Sequence, residues 1–304
     1  MRMKVLPPKA GLFLCTITHM QHICMMEHFN FNGKIYKTGS PIIGPANRGL
    51  RYGDGLFETI KYNNGKLVLA DEHFARLWKG MGVLQLQVPK HFTPEKLQEE
   101  ITELVQKNGI TQNARIRLTV FRGDGGLYDP INHFPNYTIE TWPLADDINL
   151  WNSNGLVAGI YTEVKKNCDI LSNLKHNNYL PYVMAALKAK NEKWNDAIVL
   201  NNHGRVCDTT IANIFLIKDE VICTPELTEG CVAGIMRRKL LQELKRLNYT
   251  ITEKILTLDD LSTADEVFLT NSMYNIRWVQ HIEGKDYHNQ MTLKIFTDFL
   301  PTIT

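Results

Sequence analysis

DAIVLNNHGRVCDTTIANIFLIKDEVICTP, residues 196–225, contains three short apolar runs separated by two polar turns. The turns are NHG at residues 202–204 and KDE at residues 218–220. Short runs rich in β-branched residues and broken by turn residues predict strands rather than a helix. We therefore expect three short strands joined by tight turns, as in an antiparallel sheet.

The flanks of this stretch have the patterns of further strands and of two helices. LVAGIYTEV (156–164) predicts a strand, and a helix is expected from about 179 to 193. After the opening stretch, IMRRKLLQELKRLN (235–248) has helical spacing, and EVFLTNS (266–272) and IRWVQHI (276–282) predict two more strands.

The first half of the chain predicts a second sheet. FNGKIYKTG (31–39) fits a strand pair, and Asn64-Gly65 lies between the apolar runs of residues 56–70, which is a strong hairpin signal. Residues 71–84 and 93–109 have apolar residues at helical spacing, and the second segment begins on a threonine that suits an N-cap. Both segments are predicted helices.

A strand with alternating faces follows these helices. ARIRLTVFRG (114–123) alternates apolar residues with Arg115, Arg117 and Thr119, and NYTIETWPL (136–144) continues with strand-like residues. The fold class is therefore α+β, with mainly antiparallel sheets and flanking helices.

Polar and turn-forming residues mark the expected boundaries. ADDINLWNSNG predicts a linker at 146–155, between a domain at 29–145 and a domain at 156–304. Residues 1–28 lack periodicity and are interpreted as an extension, and a signal peptide there is disfavoured because Pro7 and Pro8 interrupt its apolar run.

Composition excludes several classes of protein. The 304 residues are 44% hydrophobic and 22% charged, with a net charge of +2, so we expect a globular protein with small-molecule substrates and no nucleic-acid partner. No apolar stretch approaches the roughly 18 residues that span a bilayer, so no membrane association is expected. Six scattered cysteines favour a reducing cytoplasm over a disulfide scaffold.

The N-terminal segment contains four candidate metal ligands. Cys15, His19, His22 and Cys24 are residue types that bind zinc, but their spacing fits no familiar zinc finger. We therefore expect no metal.

Four features carry a candidate chemistry, and each alone also fits an ordinary structural role. Lys175 lies between a strand and a helix, and Gly234 precedes a helix whose free N–H groups suit a phosphate. Arg76 has a planar fork that binds phosphate or carboxylate, and Asp208 lies in an apolar strand where it must face water or a cation.

Six blocks in order resemble the signature of class IV pyridoxal-phosphate aminotransferases, a family that includes branched-chain aminotransferases, D-amino acid aminotransferases and 4-amino-4-deoxychorismate lyases. The match covers about residues 32–282 and implies the two-domain D-amino acid aminotransferase-like fold, fold type IV. The blocks are GLRYGDGLFETI (49–60), EHFARL (72–77), Lys175 with NNYL after it, GRVCDTTIANIF (204–215), TPELTEGCVAGIMR (224–237) and EVFLTNS (266–272).

The resemblance implies pyridoxal 5'-phosphate as cofactor and a role for each matching residue. Lys175 matches the Schiff-base lysine, Arg76 matches the phosphate-gripping arginine, and Asp208 stands where the family usually has the glutamate that contacts the ring nitrogen. Tyr179 is assigned to the phenolic oxygen of the cofactor. Asn213 follows Asp208 by five residues and is also assigned to cofactor binding. The helix start Gly234, Ile235 and Met236 matches the phosphate-binding helix of the family, which often has Thr in place of Met236. Asn271 and Ser272 match a further loop on the phosphate side.

Two activities follow from the resemblance. An aminotransferase acting on branched-chain or similar amino acids and 2-oxo acids is the first, and a 4-amino-4-deoxychorismate lyase that releases pyruvate and 4-aminobenzoate is the alternative. Arg117 and Tyr128 are the substrate-side candidates; Leu127 stands where several relatives have a carboxylate-binding arginine. The family also implies a homodimer in which a partner loop completes each site.

Overall fold

The computed structural model describes residues 26–303. Most of the predicted extension lies outside these residues, and so do the four cysteines and histidines weighed as a zinc site. Within the described residues no helix is long and apolar enough to cross a membrane.

The first sheet has six strands, all antiparallel, in the order β2-β1-β6-β5-β3-β4. The helix α3 begins after Thr93, whose side chain accepts a hydrogen bond from the Lys96 N–H, so the predicted N-cap is confirmed. The hairpin predicted at Asn64-Gly65 joins β3 to β4. The elements are β1 (His28–Phe31), β2 (Lys34–Lys37), α1 (Arg48–Tyr52), β3 (Gly55–Asn63), β4 (Lys66–Leu67), α2 (Ala70–Val83), α3 (Pro94–Lys107), β5 (Asn113–Arg122) and β6 (Pro135–Pro143).

The second sheet has nine strands and mixes both directions. Its main path is β12-β11-β10-β13-β14-β7-β8-β9, and β15 pairs with β14. Among the strand pairs of 26–303, only β11–β12, β14–β7 and β7–β8 are parallel, so the predicted α+β class with mainly antiparallel sheets is confirmed. The elements are β7 (Leu156–Lys166), α4 (Leu180–Glu192), β8 (Asp196–Asn201), β9 (Val206–Thr209), β10 (Asn213–Lys218), β11 (Val221–Pro225), α5 (Ile235–Arg246), β12 (Ile251–Lys254), α6 (Leu258–Thr263), β13 (Glu266–Asn271), β14 (Asn275–Ile282), β15 (Lys285–Asp286) and α7 (Gln290–Phe299).

The stretch 196–225 forms four strands rather than the predicted three. The chain bends between β9 and β10, where the Thr210 N–H and hydroxyl donate to the buried Asp196 carboxylate at 3.0 and 2.6 Å. The Thr209 N–H donates to the Ala212 carbonyl at 2.8 Å, which closes the bend. These threonines satisfy Asp196 instead of continuing the strand, because a buried carboxylate needs donors.

The alternation along β5 divides the first sheet into two faces. Ile116, Leu118 and Val120 are fully buried in a core that α2 and α3 cover. Arg115 and Arg117 lie on the opposite face, which is directed to the second half of the chain. The sheet thus supplies one wall of a cavity while its other face forms the core.

The predicted linker contains a short 3-10 helix, Asp146–Asn149. The Lys61 ammonium donates to Asn149 at 2.6 Å and to Asn275 at 3.1 Å, so it joins the first sheet, the linker and the second sheet. The strands of the two sheets lie in 28–143 and 156–286, on either side of this segment. The domain bounds stay a prediction, because strand order does not measure independent folding.

Candidate active site

A cavity of about 490 Å³ lies between the two sheets. It brings together every predicted site residue except Tyr128. The predicted residues that line it are Arg76, Arg117, Lys175, Tyr179, Asp208, Asn213, Gly234, Ile235, Met236, Asn271 and Ser272.

Tyr128 does not reach this cavity. Its side chain is 88% exposed, and its ring lies 6.0 Å from the ring of Tyr52 on the outer surface. The predicted substrate contact is therefore not made within the subunit. The Arg48 guanidinium donates to the carbonyl groups of Leu127 and Tyr128, at 2.6 and 3.3 Å, and holds this loop outside.

Lys175 is anchored to the first sheet by its backbone. The Phe57 N–H donates to the Lys175 carbonyl at 2.8 Å, and the Asn177 N–H donates to the Gly55 carbonyl at 2.9 Å. A side chain at Gly55 would meet the Val120 carbonyl oxygen at 2.3 Å, so the close approach of these strands requires glycine there. β3 thereby fixes the backbone position of Lys175, and with it the position of Cα.

The Lys175 amine lies against two aromatic rings. Nζ lies 4.4 Å from the centre of the Phe57 ring and 5.6 Å from that of Tyr179, and it forms no hydrogen bond or ion pair with any residue of 26–303. Burial, followed by the charge of Arg76, lowers the pKa of Lys175 to about 7. A large fraction of the amine is therefore neutral, and nucleophilic, near neutral pH.

Glu58 holds Arg76 in place, and sequence reasoning missed it. The Arg76 Nε donates to the Glu58 carboxylate at 2.7 Å, and His73 Nδ1 lies 2.7 Å from the same carboxylate. Burial alone would raise the pKa of Glu58, but the Arg76 charge and the His73 hydrogen bond outweigh it and lower the pKa to about 2. The sequence pattern could have identified Glu58, because it lies on the core-facing side of β3. Burying a glutamate there without a partner would cost free energy of folding.

The start of α5 and Arg76 form an end of the cavity that suits a phosphate. Arg76 donates to the Ala233 carbonyl at 3.0 Å, just before the helix. The N-cap residue Gly234 provides no side-chain cap, and the first turn contains no acidic residue. Backbone N–H groups and the positive end of the helix dipole are thus available to an anion. A Cβ at Gly234 would lie 2.0 Å from Asn213 Oδ1, so only glycine fits.

Asn271 and Ser272 lie at the same cavity, with different roles. The Asn271 carboxamide oxygen accepts from the N–H groups of Met273 and Tyr274, at 2.9 and 3.1 Å, and so shapes the turn between β13 and β14. No residue of 26–303 forms a hydrogen bond with the side chain of Ser272, which lines the cavity. Its hydroxyl is thus available to a ligand.

Asp208 is buried and already has several donors. Its carboxylate accepts from the Asn213 amide at 2.8 Å and the Val232 N–H at 2.9 Å. The Tyr182 hydroxyl donates at 2.8 Å, and the Lys166 ammonium lies 3.1 Å away. The requirement that Asp208 face a cation is thus met by Lys166, a residue that the sequence patterns did not single out.

Tyr179 stands beside Lys175 with its ring fixed on both sides. It contacts the Phe57 ring edge-on at 5.1 Å and stacks on Tyr182 at 4.3 Å. Burial, with the charge of Asp208, raises the pKa of Tyr179 well above its usual range. The phenol therefore stays protonated and can donate a hydrogen bond.

Two arginines of β5 form the wall opposite. The Arg117 guanidinium stacks 4.0 Å above the Phe57 ring, and Arg115 lies 5.1 Å from the Trp142 ring with its Nε buried and without a partner. Burial lowers the pKa of both, while the nearby charge of Glu140 opposes this effect. Neither forms an ion pair within 4.0 Å among the described residues, so this wall suits an anionic group.

The described residues contain no group of three or more His, Cys, Asp or Glu side chains that could hold a metal ion. The cavity combines the Lys175 amine, an end that suits a phosphate and a buried carboxylate, which are the groups that the family resemblance predicts.

Comparison with known proteins agrees with this class. The sequence profile of the class IV amino-transferase family matches residues 55–282, and the chain belongs to this family, whose members depend on pyridoxal phosphate. It is 32% identical to an aminodeoxychorismate lyase of Vibrio harveyi, over 79% of this chain and 88% of that protein. It is 31% identical to a putative branched-chain-amino-acid aminotransferase of Methanocaldococcus jannaschii, over 87% of this chain and 91% of that protein.

A solved structure has the same fold. The branched-chain aminotransferase of Thermoproteus uzoniensis, determined with norvaline, superposes with a TM-score of 0.80 at 25% identity, covering 91% of this chain and 94% of that one. The family and fold type expected from the six sequence blocks are therefore confirmed.

Proposed function

We propose that this protein is a pyridoxal-phosphate-dependent aminotransferase that transfers the amino group of a branched-chain or similar amino acid to a 2-oxo acid. Lys175 is the amine that bonds to the aldehyde carbon of the cofactor. The observation that carries this proposal is the Lys175 amine itself, which has no hydrogen-bonding partner in 26–303 and a pKa lowered to about 7.

The residues of the cavity fit the cofactor from end to end. Arg76, the first N–H groups of α5 and the Ser272 hydroxyl would hold the phosphate. Asp208 would contact the ring nitrogen, and the Tyr179 phenol would donate to the phenolic oxygen. The bound cofactor supplies a ring that accepts the electron pair left when the bond from Cα to hydrogen breaks.

Lys175 would also act as a base. When its amine is free, it can take the Cα proton of the substrate and deliver it to a second atom. The rings of Phe57 and Tyr179 limit where this amine can move. One side chain thus holds the cofactor and carries the proton.

Arg117 and Arg115 are the groups proposed to bind the substrate carboxylate. They lie on one strand, two residues apart, and so have the same orientation toward the cavity. The nearby apolar lining supports a hydrocarbon side chain on the substrate, and it consists of Phe57, Val183, Ala186, Ile211 and Met273. A norvaline-bound relative has the same fold.

The lyase remains the second candidate. A named aminodeoxychorismate lyase is 32% identical to this chain, and Tyr179 follows Lys175 by four residues, as in the lyase branch. In a lyase the same residues would bind aminodeoxychorismate and release pyruvate and 4-aminobenzoate.

One experiment separates the two. The purified protein is given aminodeoxychorismate, branched-chain amino acids and D-amino acids in separate reactions, and both pyruvate release and amino transfer to 2-oxoglutarate are followed. We expect amino transfer from branched-chain substrates, and none in Lys175→Ala. Pyruvate with 4-aminobenzoate as the main products would replace the first candidate by the second.

We also propose a homodimer in a reducing cytoplasm. An apolar stripe on α4 supports the dimer, since Leu180, Val183, Met184 and Leu187 are exposed at helical spacing beside the cavity. The exposed loop with Leu127 and Tyr128 would be the segment that reaches the partner's site. The four described cysteines are free, which supports a reducing compartment.

A further inference from the structure

Lys166 is a buried cation behind the cavity that the proposed function leaves without a role. It is the last residue of β7 and is 6% exposed, whereas its neighbour Lys165 is exposed. Lys166 does not line the cavity. Burying an ammonium group away from water is costly unless a partner compensates it.

The partner of Lys166 is Asp208, which does line the cavity. Nζ lies 3.1 Å from Asp208 Oδ2, and the two side chains are 7% and 2% exposed. The same ammonium is 5.1 Å from the centre of the Tyr182 ring, which covers it further. The carboxylate thus has a protein cation behind it and the cavity in front of it.

The donors around Asp208 leave one place for a ligand. Oδ2 accepts hydrogen bonds from Lys166, the Tyr182 hydroxyl and the Val232 N–H. Among the described residues, Oδ1 accepts one hydrogen bond, from the Asn213 amide. Oδ1 therefore has more free capacity to accept a hydrogen bond than Oδ2, which already has three donors. A ligand in the cavity would therefore contact Oδ1.

We propose that Lys166 is a positioning residue that shares Asp208 with the ring nitrogen of the cofactor. In the protein without cofactor, Lys166 holds the Asp208 side chain in place. With cofactor bound, the ammonium and a protonated ring nitrogen would both contact this carboxylate, and like charges that share one partner repel each other. This inference rests on the proposed function.

Asp208 should therefore bind the ring nitrogen more weakly than a carboxylate without a second cationic partner would. The family usually has glutamate at this position, and the aspartate here is shorter and is already paired. The protein should therefore distinguish only weakly between the natural cofactor and an analogue with carbon in place of the ring nitrogen.

Equilibrium binding of the two compounds to the cofactor-free protein, at fixed pH and salt, tests this directly. We expect the parent to prefer pyridoxal phosphate over the analogue by less than about tenfold. Lys166→Met removes the competing charge, so the ratio of the two affinities should rise by about tenfold or more. In the same variant, the absorbance band of the bound cofactor with a protonated ring should persist over a wider pH range.

Matched variants separate charge from packing. Lys166→Arg keeps the charge and should keep the parent ratio within about threefold, while Lys165→Met removes an exposed charge one residue away and should change nothing. Asp208→Asn should abolish the preference in both the parent and the Lys166→Met background, because the shared carboxylate is then gone.

Two results would overturn the proposal. The first is an unchanged ratio in Lys166→Met, and the second is a parent that already prefers the natural cofactor by more than about a hundredfold, which needs no variant to fold. A parent that binds neither compound would instead contradict the proposed function, so the two failures are distinguishable.

Discussion

Lys175 has a lowered pKa because its amine is buried and has no direct ionic partner in 26–303. The Phe57 and Tyr179 rings approach it, but no carboxylate of 26–303 pairs with it, so burial and the Arg76 charge act unopposed by any direct ion pair. A lysine in this state is a nucleophile at a pH where surface lysines are protonated.

This predicts the pH dependence of cofactor capture. The rate at which the cofactor-free protein bonds pyridoxal phosphate should rise with pH, pass its midpoint near pH 7 and level off above it, because the neutral amine attacks. Stopped-flow absorbance of the imine measures this rate. A midpoint near the value of about 10.4 for a free lysine side chain would contradict the described environment.

Glu58 gives a second prediction at the scale of one residue. Glu58→Gln leaves Arg76 without its ionic partner in a buried site, and we expect a loss of about 3 kcal/mol in the free energy of unfolding. Weaker cofactor binding should accompany it, because Arg76 is no longer held toward α5. Urea unfolding measures the first effect, and Asp71→Asn, an exposed acid on α2, serves as the control.

The sign of the pH effect follows from the lowered pKa of Glu58. The folded protein holds this carboxylate ionised down to about pH 2, whereas its ordinary value is 4.5. Its stabilising contribution is therefore complete above about pH 4.5 and is lost as the pH falls toward 2. The stability difference between parent and Glu58→Gln should shrink over this range, and a constant difference would contradict the assignment.

The sequence predicted the cavity residues better than the residues behind them. Lys175, Arg76 and Gly234 stand in recognisable blocks with fixed spacing, whereas Glu58 and Lys166 act through partners that are distant in the sequence. The Arg76–Glu58 and Lys166–Asp208 pairs exist only after the strands and helices have packed. Local patterns do not specify which residue is the partner in either pair.

At the scale of elements, α5 depends on the glycine before it. Gly234→Ala would place a Cβ 2.0 Å from Asn213 Oδ1, and Asn213 in turn donates to Asp208. We expect the cofactor affinity to fall by about tenfold or more, and the free energy of unfolding to fall by about 2 kcal/mol.

A glycine on another helix provides the matched control. Gly82 on α2 has open space around its Cβ position, so Gly82→Ala should leave cofactor binding unchanged and stabilise the helix by up to about 1 kcal/mol. Fluorescence titration with the cofactor and urea unfolding measure both variants. Equal behaviour of the two alanines would contradict the crowding described at Gly234.

The elements that local pattern defines were predicted, and those that long-range contacts define were not. Alternation predicted β5, and a capping threonine predicted the start of α3. The bend between β9 and β10 escaped prediction because it depends on Asp196, more than ten residues earlier in the chain. An uninterrupted strand was the simpler interpretation of RVCDTTIANIF.

For the whole molecule, the exposed stripe of α4 predicts a dimer. The parent should sediment with twice the mass of one chain, and Met184→Glu should shift it to the monomer with a large loss of activity, because a charge would enter an apolar contact. Leu293→Glu, on the exposed side of α7, should remain dimeric. A parent that is a fully active monomer would contradict the proposed assembly.

The order of strands in the two sheets lay beyond the sequence patterns. The parallel pairing of β14 with β7 joins residues more than a hundred positions apart, and nothing in either segment specifies the other. The turn-rich segment near residues 146–155 lies between the strands of the two sheets, and the domain bounds that it suggests stay a prediction.

The two-sided character of β5 limits how this protein can change its preference during evolution. Arg115 and Arg117 line the cavity on one face of this strand, and the side chains between them belong to the interior. Substituting Arg115 or Arg117 would change which substrates bind, with little effect on the stability of the fold. Adding or deleting a single residue would instead turn guanidinium groups inward and hydrocarbon outward along the rest of the strand. New specificities should therefore arise at this wall by point replacement and not by changes in length.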